Sequence, residues 1–252
     1  MDEEHELDFH GQQPPEVSDE ELQRLDDEAM LTEVSKLKSL GVVKEAKSSE
    51  VDFSKVKFID LKEVFDWRFR EGAWKRRCRI VAREFRSGAT SDPETFSPTT
   101  ATSAVRLFFV MHLNFHWKLM SLDISDAYLT VPQVEPCYVE LRPWMKEVLN
   151  LQNDVLWELK RVLPGQRNGA KRWFSSFSEV LGELGFEPCI VMPSIFRHRE
   201  KLMVVNVHVD DILVALKFVS DGEWLLQELR KRYRLQVEGP VPIGQTGTDE
   251  EI

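Results

Sequence analysis

Two adjacent carboxylates, Asp210 and Asp211, interrupt an otherwise apolar run, VVNVHVDDILVAL. Burying two charges side by side is costly unless a cation neutralises them. At a hairpin bend they would instead emerge at the surface, where carboxylate oxygens suit hard divalent ions such as Mg2+. A polar turn between strands is the alternative, although Gly or Asn would be expected at such a bend. A second acid stands in a similar place: Asp123 follows the run WKLMSL, with Asp126 three residues on. For these two, a helix N-cap with an acidic first turn competes. A two-metal phosphoryl-transfer site needs carboxylates from separate strands, holding ions roughly 4 Å apart. Asp123 and Asp210 meet that requirement if their strands are neighbours.

Such a site needs a scaffold and a charge balance that admits an anionic substrate. The formal net charge is -10, but it is unevenly spread. Residues 1–50 hold 15 acids against 5 bases, and 241–252 hold 3 acids and no base. The intervening 190 residues carry 25 acids and 28 bases, so the middle is mildly basic. A clustered positive surface there can bind nucleic acid. The acidic start, MDEEHELDFH, is the opposite of a signal or transit peptide. No apolar run approaches the roughly 20 residues that cross a bilayer, so no membrane role is expected. Cys78, Cys137 and Cys189 are far apart and never in a C-x-x-C pair. That argues against a disulfide framework or a structural zinc site and fits a reducing, intracellular setting. His112-x-x-x-His116 has helical metal spacing but lacks the Glu of H-E-x-x-H and a third ligand, so it reads as a plain helix pair.

Stepping along the chain, residues 1–25 are charged, contain Pro14 and Pro15, and read as an acidic disordered N-terminus. AMLTEVSKLKSLGVV predicts a helix, with Met30, Val34, Leu37 and Leu40 on one face and Gly41 as a stop. VKFIDLKEVFDWRF and WKRRCRIVARE read as a hairpin, and SGATSDPETFSPTT as a loop. TSAVRLFFVMHLNF predicts a buried helix. WKLMSLDISDAYL is a strand running into a turn, and VLWELKRVLPGQRNG a strand and loop. AKRWFSSFSEVLGELGF predicts an amphipathic helix ending at Gly185. SIFRHREKLMVVNVHVDDILVAL reads as two strands joined at RHREK, the Asp pair breaking the second. DGEWLLQELRKRYRLQV predicts a last amphipathic helix. The alternation predicts an α+β fold with an antiparallel sheet.

On these residues the chain resembles the reverse transcriptases of copia-type retrotransposons. LDISDAYL and VHVDDILVA are similar to the family's two catalytic motifs, D-x-x-x-A-F/Y and Y/F-x-D-D. RCRIVAREF resembles K-A-R-L-V-A-R-G-F, and ETFSPTTATSAVRLFF resembles E-T-F-S-P followed by T-x-R-x-L. RVLPGQRNGAKRW aligns on K-A-L-Y-G-L-K-Q-x-P-R-A-W, and GELGFEPCIVMPSIF on G-F followed by x-D-x-x-x-F. The match covers roughly residues 27–240, with the motifs in the family's order. Five residues depart from it: His208 for an aromatic, Glu84 for a glycine, Met192 for an aspartate, Pro164 for a tyrosine and Asn168 for a glutamine, whose amide neighbouring Gln166 could supply after a small shift.

The resemblance implies a polymerase palm carrying Asp123, Asp210 and Asp211 as catalytic metal ligands, with Mg2+ or Mn2+ as cofactor. It implies that Tyr128 crowds the sugar 2′ position, and that the backbone at Asp126 and Ala127 faces an incoming triphosphate. Arg77, Arg79 and Arg83 would neutralise that triphosphate, and Gln166 would supply an amide beside it. Trp173 matches an aromatic read as core. Partners implied are an RNA or DNA template-primer and deoxynucleotide triphosphates. The regions expected are a fingers-like part with its leading helix over 26–117, a palm over 118–240 that includes part of the fingers, and an acidic tail over 241–252. The match fades near Gly239-Pro240, so a chain cut before a full thumb is expected, with weak or no activity in that form. The rival is an inactive retroelement remnant acting at most as a nucleic-acid-binding module.

Overall fold

The computed structural model describes residues 13–70, 72–84 and 102–241. The first twelve residues, residue 71, residues 85–101 with the whole Ser/Thr/Pro-rich loop, and the tail from 242 lie outside the described residues. The fold is α+β, as expected. The chain divides into two compact units, one drawn from Met1–Gly88 and Pro132–Arg167, the other from Ala89–Val131 and Asn168–Ile252. Residues 132–167 thus cluster with the N-terminal segment.

The first unit opens with helix α1 (Asp19–Ser39), so residues 19–25 are ordered helix and not the disordered segment their composition suggests. Three causes are visible. Ser18 Oγ accepts from Glu21 N at 3.2 Å and caps the helix, with Asp19, Glu20 and Glu21 in the favourable acidic first turn. Arg24 pairs with Glu21 and Glu28 along one face. Asp26 accepts from Arg76 at 2.6 Å, and that guanidinium also lies over the rings of Phe65 and Trp67. Composition reports the cost of burying charge, but not a distant partner that offsets it.

The five-stranded sheet of this unit has the order β1-β6-β5-β2-β3: β1 (Val43–Lys47), β2 (Lys57–Arg70), β3 (Ala73–Arg83), β5 (Pro132–Glu140) and β6 (Val155–Arg161). The expected hairpin is β2 with β3, registered from Asp60↔Arg83 to Arg70↔Ala73. Among the described strands, only β2 and β5 run parallel. A short helix, α2 (Pro143–Val148), follows β5. Period-two burial along β3 sends Cys78, Ile80 and Ala82 inward, with Leu61 and Trp157 in the same core.

The second unit holds a six-stranded antiparallel sheet, order β11-β4-β10-β9-β8-β7. Its strands are β4 (Lys118–Ile124), β7 (Phe186–Pro188), β8 (Ile195–His198), β9 (Met203–His208), β10 (Asp211–Leu216) and β11 (Leu235–Val241). Among the described residues, three α-helices belong to this unit: α3 (Thr102–Phe115), α4 (Gly169–Glu183) and α5 (Val219–Arg230). On α4, Trp173, Phe177, Val180 and Leu181 are buried at the spacing of one helical face. Two expectations are corrected here. The two strands read in SIFRHREKLMVVNVHVDDILVAL are three, with Asp210 in the β9–β10 bend and Asp211 opening β10. The last helix stops at Arg230, and LQV is strand, because β11 pairs with β4 from Leu235↔Ile124 onward. Cross-strand pairing overrides helical propensity there.

His198 sets a pH limit on this unit. Its Nδ1 accepts from Glu200 N at 3.0 Å and Lys201 N at 2.9 Å, an arrangement that requires an unprotonated nitrogen. The ring packs edge-on against Phe186 and Trp224, and burial pushes its pKa down. Lys201 nearby pushes in the same direction, while Glu200, Asp221 and the Leu184 backbone oppose it. With the folded pKa below the unfolded value of about 6.5, the unfolded chain binds more protons between the two. Stability is therefore fully present above about pH 6.5 and declines as the pH falls through that window. Urea midpoints at pH 7.5 and 5.5 should show the decline, and His198→Gln should flatten it; equal slopes in both proteins would refute the assignment.

Candidate functional site

Strand register brings the sequence-separated acids together. In the antiparallel β4–β10 pair, Asp123 and Asp211 are direct partners. Directly opposite residues in such a pair point to the same face, with Cβ atoms about 5 Å apart. Like charges there are unfavourable unless something neutralises them. The row continues to His208 on β9 and to Gln236 on β11, giving Gln236, Asp123, Asp211 and His208 abreast across four strands. Met120, Leu122 and Ile124 alternate onto the other face of β4 and are buried. Asp123 therefore shares its face with Leu119, which packs with Phe108 of α3 farther down the strand. Met192, standing where the resemblance expects an acid, packs against that same cluster.

Asp210 lies in the two-residue bend, Val209-Asp210, between β9 and β10. Its carbonyl accepts from Ile124 N at 3.2 Å, which ties the bend to the end of β4 beside Asp123. Val209 has φ 56, a left-handed conformation that a β-branched residue adopts only under constraint. After β4, Asp126 also turns left-handed (φ 57, ψ 35) and leads into a 3-10 turn over Ala127–Thr130. Asp126 makes no side-chain cap bond, so the N-cap explanation does not account for it. Ala127 is buried and Tyr128 half-buried. The Tyr128 phenol is pushed above its ordinary pKa, first by burial and then by the charge of Asp210. Tyr128 of the first motif thus stands close enough to Asp210 of the second to feel its charge.

Among the described residues, no group of three or more His, Cys, Asp or Glu side chains could by itself hold a metal ion. The donor chemistry still fits Mg2+ or Mn2+. These ions take hard oxygens, and Mg2+ is commonly bound by one or two carboxylates with substrate phosphates completing the shell. His112 Nδ1 lies 2.8 Å from the Trp117 carbonyl, a hydrogen bond within its own unit.

The sequence matches the family of reverse transcriptases (RNA-dependent DNA polymerases) over residues 49–242. The chain belongs to this reverse transcriptase family. It is 26% identical over 207 residues to the Transposon Ty1-ER2 Gag-Pol polyprotein of Saccharomyces cerevisiae, covering 78% of this chain and 11% of that protein. It is 23% identical over 142 residues to the Retrovirus-related Pol polyprotein from transposon RE2 of Arabidopsis thaliana, covering 55% of this chain and 10% of that protein. The chain thus spans about a tenth of the length of these curated relatives. Together they support a copia-type reverse transcriptase domain. Among the described residues, no helix of this reverse transcriptase chain is long and apolar enough to cross a membrane.

The remaining residues implied by the reverse transcriptase resemblance lie in the first unit. Arg77, Arg79 and Arg83 alternate with Cys78, Ile80 and Ala82, so they share the less buried face of β3 with Lys75. Register adds Lys62 and Arg68 to that face from β2, against two acids, Asp60 and Asp66. Arg83 pairs with Asp60 at 3.1 Å and Arg79 with Asp66 at 3.2 Å, leaving the face positive overall. Burial and the neighbouring Arg79 charge push the Arg77 pKa down. Arg76 lies on the other face and serves the fold through Asp26.

At the end of β3, a cavity of about 590 Å³ is lined by Lys62, Glu63, Arg83, Glu84, Arg142 and Gly165, among others. Ala82 N donates to Pro164 O at 2.8 Å, drawing the loop over Pro164–Arg167 onto the strand. Glu84 holds the same loop, accepting from Arg167 N at 3.0 Å and pairing with Lys57 at 2.6 Å. The replacement of glycine by Glu84 thus has a structural use. Gln166 is buried; its Oε1 accepts from Leu163 N, and its Nε2 has no hydrogen-bond partner among the described residues.

Proposed function

We propose that this chain is the RNA-directed DNA polymerase domain of a copia-type retroelement, transferring deoxynucleotides to a primer paired with an RNA or DNA template. The observation that carries the proposal is the Asp123–Asp211 cross-strand pair with Asp210 in the adjoining bend. Six strands with Asp123 and Asp211 on one face suit a palm, and the unit holding the β2–β3 hairpin suits fingers. Asp123, Asp210 and Asp211 would hold Mg2+ or Mn2+. Such ions, when bound, lower the pKa of the attacking 3′-hydroxyl and stabilise the leaving pyrophosphate.

The chain's own contribution is positioning and electrostatics. Tyr128, half-buried beside Asp210, would crowd the sugar 2′ position and favour deoxynucleotides. The backbone at Asp126 and Ala127 would face the triphosphate. Arg77, Arg79 and Arg83 would balance phosphate charge, and the unpartnered Gln166 amide would gain an acceptor from the nucleotide. The primer hydroxyl then attacks the α-phosphate in line, and pyrophosphate departs.

The test is extension of a labelled primer on an RNA template with Mg2+ or Mn2+. Binding of template-primer without extension under either ion would instead favour the reading as an inactive nucleic-acid-binding remnant. A second measurement addresses the cationic face. Replacing Arg77, Arg79 and Arg83 with Ala should weaken template-primer binding and reduce the slope of log K against log salt by about two to three. An unchanged slope would remove these residues from the interface.

A further inference from the structure

Trp173 is fully buried on α4, stacked on Phe177 with ring centroids 5.2 Å apart and edge-on to Tyr233 at 5.7 Å. Packing alone would account for a Trp at this spacing. Its indole Nε1, however, donates to the carbonyl of Val209 at 2.6 Å, reaching 36 positions along the chain. That carbonyl belongs to the one bend residue with positive φ. The bend is therefore held from two sides, by Trp173 on Val209 O and by Ile124 N on Asp210 O. A two-residue hairpin with positive φ at its first position ordinarily takes Gly there. Val is a poor occupant of that conformation, so the bend needs external restraint to persist. Tyr233 links the same aromatic group to the chain entering β11, where Ser125 N donates to Arg234 O at 3.0 Å just beyond Asp123.

We propose that Trp173 is a positioning residue that pins the strained Val209–Asp210 bend through its indole N–H and so sets where the Asp210 carboxylate points. Its effect on catalysis rests on the polymerase reading above; its effect on the bend does not. Trp173→Phe keeps an aromatic ring in the Phe177–Tyr233 stack and removes the donor together with part of the buried ring volume, a packing loss that the reference strands report. Losing one buried hydrogen bond should raise the opening of the bend about tenfold.

The experiment is hydrogen exchange across residues 203–216 in the wild type and Trp173→Phe, with the other sheet strands as internal reference. Exchange at the bend should quicken about tenfold while the reference strands stay unchanged. Adding Val209→Gly, which accepts positive φ without strain, should return the bend most of the way towards wild-type protection. Primer extension supplies the functional arm: Trp173→Phe should lower kcat about tenfold with KM for the nucleotide nearly unchanged. Wild-type exchange in Trp173→Phe would overturn the proposal. So would uniform acceleration across the whole sheet, or no recovery with Val209→Gly, since either makes Trp173 a packing residue only. A wild-type chain that never extends a primer would sink the polymerase reading and leave the exchange result standing on its own.

Discussion

Asp210→Asn is expected to abolish primer extension, by about a thousandfold or more, while leaving the fold intact. The substitution preserves shape and keeps a residue suited to a turn. The backbone bonds that hold the bend, Ile124 N to Asp210 O and Trp173 Nε1 to Val209 O, do not involve the side chain that changes. What goes is one negative charge beside the Asp123–Asp211 pair. Since like charges oppose one another there, thermal stability should hold or rise slightly. Tyr128 gives a second readout: Asp210 contributes to its raised pKa, so in Asp210→Asn the phenol should titrate at lower pH than in wild type, though burial still holds it up. Three tyrosines make the ultraviolet titration tractable. Retained extension would remove Asp210 from the reaction. A fall in Tm of many degrees would show that the side chain serves the bend instead.

Gly165→Ala should be the most damaging small substitution in the first unit, costing about 3 kcal/mol or more. Gly165 has φ +87, where any Cβ is strained, and its added methyl would stand 2.2 Å from the Ala82 carbonyl oxygen. That neighbour is backbone of β3 and cannot rotate away. Relief requires parting the loop from the strand, which sacrifices the Ala82 N to Pro164 O bond. The same shift disturbs Glu84 on Arg167 N and the cavity lined by Arg83 and Arg142. Denaturant unfolding should show a lower midpoint, and nucleotide affinity should fall with it if the cationic face acts as proposed. Gly72 makes the control: it also has positive φ, but no atom of the described residues lies within 4 Å of its added Cβ. Equal losses at the two positions would mean that the close approach to Ala82 is not what Gly165 serves.

Much of this was legible from residue order. The acids Asp123, Asp210 and Asp211 stood out because charge is costly in apolar runs, and their motifs carried the family. The β2–β3 hairpin and α4 followed from periods of two and of 3.6. Where the reading failed, the deciding partner was distant in sequence. Residues 19–25 looked too charged to fold because Asp26 gave no hint of Arg76, fifty positions away. The residues after Arg230 looked helical because nothing local announced β4 as their partner. Trp173 read as core because helical spacing reports which face is buried, not where an indole N–H points. Sequence alone thus singled out which groups could do chemistry, but not which strands and bends would carry them. Tertiary structure decided that Asp123 faces Asp211 across one register, that a strained Val209 is held open beside them, and that Glu84 clamps a loop. Register and hydrogen-bond direction depend on cross-chain pairing, and a one-residue slip would send every side chain of a strand to the other face.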